Sequence, residues 1–351
     1  MLPNQFLAEG RYFMTELLNR QYYLASRPRG VPNEENVPCR DVPLAELGEG
    51  EVRMRNLYIS LDPAIRGWMS DEPNYIEPIT LGDAVRASVI GRVVASKHDD
   101  FAVGDVAMTM GAWEAYTQLP GAALNKLDES MGIPLSYFLG VLGPTGLTAY
   151  FGLLEVCEPK SGETVLVSAA AGAVGSVVGQ IARMQGCHVV GLAGSDEKCA
   201  WLTDELGFDA AINYKTCGDY EAAISDACPD GVDVYFDNVG GEILDAALSC
   251  MNKFGRIAVC GWIASYNDEE VPHLKNLWQL VAESVSIRGF VVLDFLDRFP
   301  EGIGQLAEWV MAGKLQFREE VVDGLDNVLP TFLKLFDGSN QGKLVLRISQ
   351  D

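Results

Sequence analysis

Three features of the sequence predict an α/β fold in two parts. Strand-like and helix-like runs alternate from residue 164 to 261, an order that gives a parallel, doubly wound sheet. Residues 1 to about 125 carry short β-branched runs separated by turn clusters, as a β-rich unit does. A cluster of small residues, "VSAAAGAVGSVVGQIAR" (167–183), lies where a buried strand passes into an amphipathic helix. Glycine costs about 1 kcal/mol against alanine inside a helix. Gly172, Gly175 and Gly179 therefore need a reason.

The elements follow in chain order. "EVRMRNLYISL" (51–61) alternates its apolar residues as a half-buried strand, "SVIGRVVAS" (88–96) is β-branched, and "FAVGDVAMTM" (101–110) follows as a further strand. "SRPRGVPNEENVP" (26–38) reads as a turn cluster. Residues 134–156 read as helical pieces around Gly143 and Pro144. Then come a buried strand (164–170), a helix ending at glycine (173–186), a strand (188–194) and a helix (195–207) with Ser195 as N-cap. The alternation continues with strands at 210–215, 232–240 and 255–261 and helices near 218–228 and 241–251. A helix near 300–313 and a last strand, "GKLVLRIS" (342–349), complete the chain, and the last strand is expected to return to the β-rich unit.

Composition narrows the function. The chain is 48% hydrophobic and 21% charged, as globular proteins are. A net charge of −23 argues against nucleic acid, which needs clustered Lys and Arg, and against an anionic membrane surface. No apolar run is long enough for a membrane span, and residues 1–14 lack the basic start and apolar core of a signal peptide. Eight cysteines without a C-x-x-C pair read as reduced thiols of a cytoplasmic protein. Three histidines, none in H-E-x-x-H, and no G-x-S-x-G give no signal for a metal site or for acyl transfer.

The small-residue cluster has the context of a phosphate loop. Ala170, Gly172 and Gly175 keep the spacing of G-x-G-x-x-G, with alanine first, between strand and helix. Gly172 would let backbone approach a pyrophosphate, Gly175 would let helix and strand pack closely, and the helix start would offer N–H groups. The sheet is then of the dinucleotide-binding Rossmann type. NAD-binding units place an acid at the end of the second strand for the ribose 2′-OH. Here that strand ends at Gly194–Ser195, Lys198 follows, and Tyr214 lies beyond the third strand. This set favours NADPH, although Lys198 by itself also fits a solvated helix lysine.

Beyond this point the sequence resembles the zinc-independent medium-chain dehydrogenases/reductases, and within them the prostaglandin reductase, 2-alkenal reductase and curcumin reductase group. "NLYISLDPAIRGWM" (56–69), "LGPTGLTAYFGL" (142–153), "AAAGAVGSVVGQIAR" (169–183), "YFDNVGGEILD" (235–245), "GRIAVCGWIASYN" (255–267) and "GSNQGKLV" (338–345) carry the resemblance. It implies a β-rich GroES-like catalytic domain over 1–130 and 314–351 and a Rossmann domain over 131–313. It implies Gly172, Ala173, Val174 and Gly175 along the pyrophosphate, and Lys198 and Tyr214 at the 2′-phosphate. Asn238, Cys260, Ser265, Tyr266, Phe290, Val291, Val292 and Asn340 would complete the cofactor site. The implied activity is NADPH-dependent reduction of a carbon–carbon double bond conjugated to a carbonyl in a small enone or enal. Tyr266 would stabilise the enolate, or only orient the ribose. Tyr58, Ala64, Trp68, Tyr75, Trp113 and Trp262 are candidates for the substrate pocket. Ala64 stands where relatives often carry Tyr, and Trp262 where smaller residues are common. Pairing into a homodimer is implied as well. An NADPH quinone reductase, a zinc-free alcohol dehydrogenase and a cofactor-binding protein without turnover are the competing readings.

Overall fold

The computed structural model describes residues 17–268 and 273–349, so the signal-peptide reading of residues 1–14 lies outside the described residues. Six parallel strands form one sheet: Thr164–Val167, His188–Ala193, Ala210–Asn213, Val232–Asp237, Met251–Val259 and Ser286–Gly289. Numbered within that sheet, their spatial order is third, second, first, fourth, fifth, sixth. The order reverses between the first and fourth strands, and ligands of such sheets bind at this switch point, at the carboxyl ends of the strands. All four residues of the first strand are buried, which is why it reads as a continuous apolar run.

A seven-stranded, largely antiparallel sheet lies beside it, built around the long strands Glu51–Leu61 and Arg86–Ser96. The expected return of the tail is present: Lys343–Arg347 pairs antiparallel with Glu51–Leu61 and parallel with Glu319–Asp323. Trp113 and Phe332 anchor the apolar core on one side of this sheet, with rings edge to face at 5.2 Å.

The local signals act as their chemistry requires. The Ser195 hydroxyl accepts from the Lys198 N–H at 3.2 Å, and the Asp219 carboxylate accepts from Ala222 N–H at 2.8 Å, each capping a helix start. Other expectations need correction. The strand read over 101–110 begins at Val106, because Gly104 turns the chain at φ +101°. The helix read over 195–207 is α-helical for Asp196–Ala200 and continues as a π-helical turn, Trp201–Glu205. The helix Val328–Asp337, which buries Val328, Leu329 and Phe332, was absent from the sequence reading, as were the edge strands Leu18–Tyr22 and Cys39–Pro43. Among the described residues no helix is long and apolar enough to cross a membrane.

Candidate active site

The phosphate loop answers the glycine question. A Cβ on Gly175 would stand 2.4 Å from the Ala169 carbonyl oxygen and 2.8 Å from the Ala170 Cα, so helix and strand meet there with no room for a side chain. A Cβ on Gly179 would stand 1.9 Å from the Phe208 ring. Gly172 differs: its Cβ would approach only the Ala169 oxygen, at 3.1 Å, and its outer face is open. Ala169 holds a left-handed conformation at φ +46°, which costs an alanine on the order of 1 kcal/mol. Its carbonyl accepts the Gly172 N–H at 2.9 Å. Strain of this kind collects where a loop is shaped for a ligand. Ala173 and Val174 lead from Gly172 into the helix Gly175–Met184, which has no side-chain cap. Ser176 and Val177 already donate to the Gly172 and Val174 carbonyls, both at 3.1 Å, so among the described residues it is the Ala173, Val174 and Gly175 N–H groups that remain available to an anion. The tail arrives here too, since Gly342 bridges Gly172 and the Asn340 amide donates to the Gly342 carbonyl at 3.0 Å.

Beyond the second strand lies a cationic cluster. Lys198, only 9% exposed, donates to the Gly338 carbonyl at 2.7 Å, and Lys215 donates to the Asp337 carbonyl at 3.0 Å. Both ammonium groups meet the carboxyl end of the helix Val328–Asp337, where cations are favoured. The Tyr214 hydroxyl closes the strand end: a Cβ on Gly194 would be 2.7 Å from it. Burial first, and the Lys215 charge second, hold Lys198 below the ordinary lysine value. Two cations and a phenol gathered in a chain of net charge −23 are a candidate anion site, with the charges of Glu320, Asp337 and Glu197 also acting on Lys198. Lys215 was missed in the sequence reading, and its place in "NYK", directly after Tyr214, was the available signal. The set fits a 2′-phosphorylated dinucleotide.

At the carboxyl ends of the first and fourth strands, Asn238 is held by donating to Ser168, from its N–H to the hydroxyl at 2.9 Å and from its amide to the carbonyl at 2.8 Å. Asp237 underlies this turn, fully buried, and accepts from Tyr235, Ser168, Val239 and Gly240. Next to it opens a cavity of about 470 Å³ between the two sheets. Ala64, Gly67, Asn74 and Tyr75 line one wall, and Cys260, Trp262, Tyr266, Phe290 and Val291 line the other. The buried Arg66 ties the walls together, donating to the Asn267 side chain at 3.0 Å and to the Gly30 and Pro28 carbonyls at 3.0 and 3.1 Å. Trp262 fits because Gly240 has no side chain: a Cβ there would be 1.9 Å from the indole. Burial pushes the Cys260 thiol up to about 12 and raises the Tyr266 phenol, so both keep their protons at neutral pH.

The predicted pocket set is only partly assembled. Ala64, Tyr75, Trp262 and Tyr266 share the cavity, and Trp68 stands directly behind Tyr75. Tyr58 and Trp113 do not line it. Tyr58 packs on the core around Ile90 and Val345, and Trp113 is wholly buried against Phe332. Both lie on strands or strand ends where an inward aromatic serves the core, and strand alternation alone does not distinguish a core face from a site face. Val292 packs on the core of the parallel-sheet unit and does not line the cavity, and Ser265 lies in the short turn Ile263–Ser265 just before Tyr266. Among the described residues no group of three His, Cys, Asp or Glu side chains is placed to hold a metal.

Comparison with known proteins gives the frame. Residues 20–127 match the family described as the N-terminal domain of oxidoreductase, and residues 173–308 match the family described as zinc-binding dehydrogenase. A putative NADP-dependent oxidoreductase of Bacillus subtilis, YfmJ, is 48% identical over 94% of this chain and 98% of its own length. The NADPH-dependent curcumin reductase of Escherichia coli is 42% identical over 95% and 98%. The crystal structure of CurA from Vibrio vulnificus in complex with NADPH superposes with a TM-score of 0.89 at 38% identity, covering 95% of this chain and all of that one. With a phosphate loop, a cationic cluster and a cavity all at the carboxyl ends of the parallel strands, the chain belongs to the medium-chain dehydrogenase/reductase family, in the zinc-independent group of the prostaglandin, 2-alkenal and curcumin reductases.

Proposed function

We propose that this oxidoreductase uses NADPH to reduce the carbon–carbon double bond of α,β-unsaturated ketones or aldehydes. The observation that carries the reading is that three features share the carboxyl-terminal edge of one parallel sheet: the Lys198–Lys215–Tyr214 cluster after the second and third strands, the Gly172 loop after the first, and the cavity beside Tyr266 at the ends of the fifth and sixth. An extended cofactor laid along this edge would span them as one cleft. Relatives named for NADPH-dependent curcumin reduction and NADP-dependent 2-alkenal reduction support the substrate class.

NADPH supplies a hydride. The chain's own residues do the rest. Gly172 to Gly175 and the helix start receive the pyrophosphate, and Lys198, Lys215 and Tyr214 receive the 2′-phosphate. Asn238, Cys260, Phe290, Val291 and Asn340 frame the inner part of the cofactor. As the β-carbon gains hydride, electrons move to the carbonyl oxygen, and the Tyr266 hydroxyl donates to that oxygen. Water can then protonate the α-carbon, so no dedicated acid is needed. The resemblance divides the chain at 130–131 and 313–314 into three segments, the outer two acting together as the catalytic domain and the middle one as the nucleotide-binding domain.

The sixth strand, Ser286–Gly289, ends the parallel sheet with Ile287 exposed, and Trp278 and Val281 are exposed close by in sequence. An open edge with apolar neighbours supports pairing of two copies. All eight cysteines are free, in keeping with a reducing cytoplasm.

The test is NADPH oxidation against a linear enal, a cyclic enone, a quinone, a saturated ketone and curcumin, repeated with NADH. Turnover of enal and enone with the saturated ketone untouched supports the reading. Turnover of the quinone alone moves it to a quinone reductase. Tyr266→Phe should lower kcat by roughly 10- to 1000-fold, whereas a change confined to the cofactor KM assigns Tyr266 to ribose orientation.

A further inference from the structure

A phenol has one proton to donate and lone pairs to accept with. Tyr75 and Tyr266 both line the cavity, from opposite walls. The Tyr75 oxygen accepts the Trp68 indole N–H at 3.2 Å. The Tyr266 oxygen accepts the Trp262 backbone N–H at 3.3 Å. Among the described residues neither hydroxyl donates to the protein, so both protons are uncommitted. An N–H delivered to a phenol oxygen also polarises its O–H and strengthens it as a donor.

Position and ionisation agree with this. Trp68 is 7% exposed and meets Tyr75 edge to face, with ring centroids 6.4 Å apart, so it fixes the phenol from behind. Tyr75 as a whole is 51% exposed, but loss of water around its hydroxyl raises the phenol to about 12, an N–H from Trp68 draws it down, and proximity to Tyr266 raises it again. Each phenol therefore stays protonated at neutral pH and retains the hydrogen it would donate. Asn74, Gly67 and Ala64 keep the near wall small beside Tyr75.

We propose that Tyr75 is a second catalytic donor, which together with Tyr266 forms a two-phenol site for the oxygen that becomes negative when hydride reaches the substrate. The assignment rests on the ene-reductase reading. The bookkeeping is simple: hydride adds to the β-carbon, the π pair moves onto oxygen, and both phenols donate without losing their protons. Protonation of the α-carbon by water restores the carbonyl. Trp68 is a positioning residue, acting through Tyr75.

The experiment uses the full chain and two readouts. One is kcat/KM for a cyclic enone with saturating NADPH. The other is equilibrium binding of para-nitrophenolate to the enzyme–NADP⁺ complex, a stable anion that mimics the enolate oxygen. Tyr75→Phe keeps the ring and removes only the donor. It should lower kcat/KM on the order of 10- to 100-fold and weaken the phenolate about 5- to 20-fold, with the affinity for NADPH unchanged. Combining it with Tyr266→Phe should cost less than the product of the single losses, because both act on one oxygen. Unchanged turnover and unchanged phenolate affinity in Tyr75→Phe would overturn the proposal. Phenolate binding that depends on Tyr75 in an enzyme that reduces no enone would support the donor pair and reject the ene-reductase reading instead.

Discussion

The two ends of the cleft are built from different materials. At the phosphate end the requirement falls on backbone: Gly175 leaves 2.4 Å between a would-be Cβ and the Ala169 oxygen, and Gly172 keeps one face open. At the substrate end it falls on side chains from separate segments, with Ala64 and Tyr75 facing Trp262, Tyr266 and Phe290. A backbone requirement admits essentially one residue type at a fixed spacing. A cavity wall is met by many combinations of side chains, so that end of the cleft can change its ligand while the other cannot.

The largest expected effect separates two glycines of the same loop. Gly175→Val drives two methyl groups into the strand backbone, a clash costing about 3 kcal/mol. The apparent Tm should fall by roughly 5–10 °C, with NADPH binding lost alongside. Gly172→Ala meets only one oxygen, at 3.1 Å. It should melt within about 2 °C of the parent yet bind NADPH on the order of 10-fold more weakly. Thermal melts and titration calorimetry on the pair decide the matter. Equal loss of stability in both variants would break the division between a packing glycine and a ligand-facing one.

That division also marks what the sequence could tell. The parallel sheet was legible because a fully buried strand such as Thr164–Val167, a capped helix start at Ser195 and the spaced glycines each impose a local chemical need. Lys198 and Tyr214 were legible by their position after strand ends, and Lys215 was overlooked although it adjoins Tyr214. The cavity was half legible. Tyr75 and Trp262 face it, while Trp113 and Tyr58 serve the core. An aromatic on a strand looks the same in sequence whether its neighbours are Phe332 or a substrate. The edge strand Leu18–Tyr22 was missed because its pairing with Cys39–Pro43 is set by tertiary contact across a turn-rich stretch.

The next effect in size lies at the adenosine end. Lys198→Ala removes a buried ammonium that, among the described residues, donates to the Gly338 carbonyl and to no carboxylate. A charge-assisted contact to phosphate contributes about 2–3 kcal/mol. NADPH should therefore bind on the order of 30- to 100-fold more weakly, and NADH less than about 3-fold more weakly. Lys215→Ala should follow the same pattern at about 5- to 10-fold, since Lys215 is the more exposed of the two. Equal weakening of both cofactors would move the 2′-phosphate elsewhere and leave the two lysines as caps for the helix Val328–Asp337.

The smallest effect sharpens the substrate end. Ala64 shares a wall with Gly67 and Tyr75 in a cavity of about 470 Å³. Ala64→Tyr would add a ring to that wall, placing a third phenol across from Tyr266. A linear enal is slim enough to pass beside it, so its kcat/KM should stay within about 2-fold. A bulky diaryl enone must share the space, and its kcat/KM should fall about 3- to 5-fold through KM. Loss for both substrates in kcat would mean that the added ring displaces the reacting carbonyl, and that Ala64 governs alignment as well as width. A gain for both would mean the reverse: the wild-type cavity is looser than its substrates need, and the backbone end of the cleft, by holding the cofactor fixed, lets the side-chain end vary without losing the hydride's position.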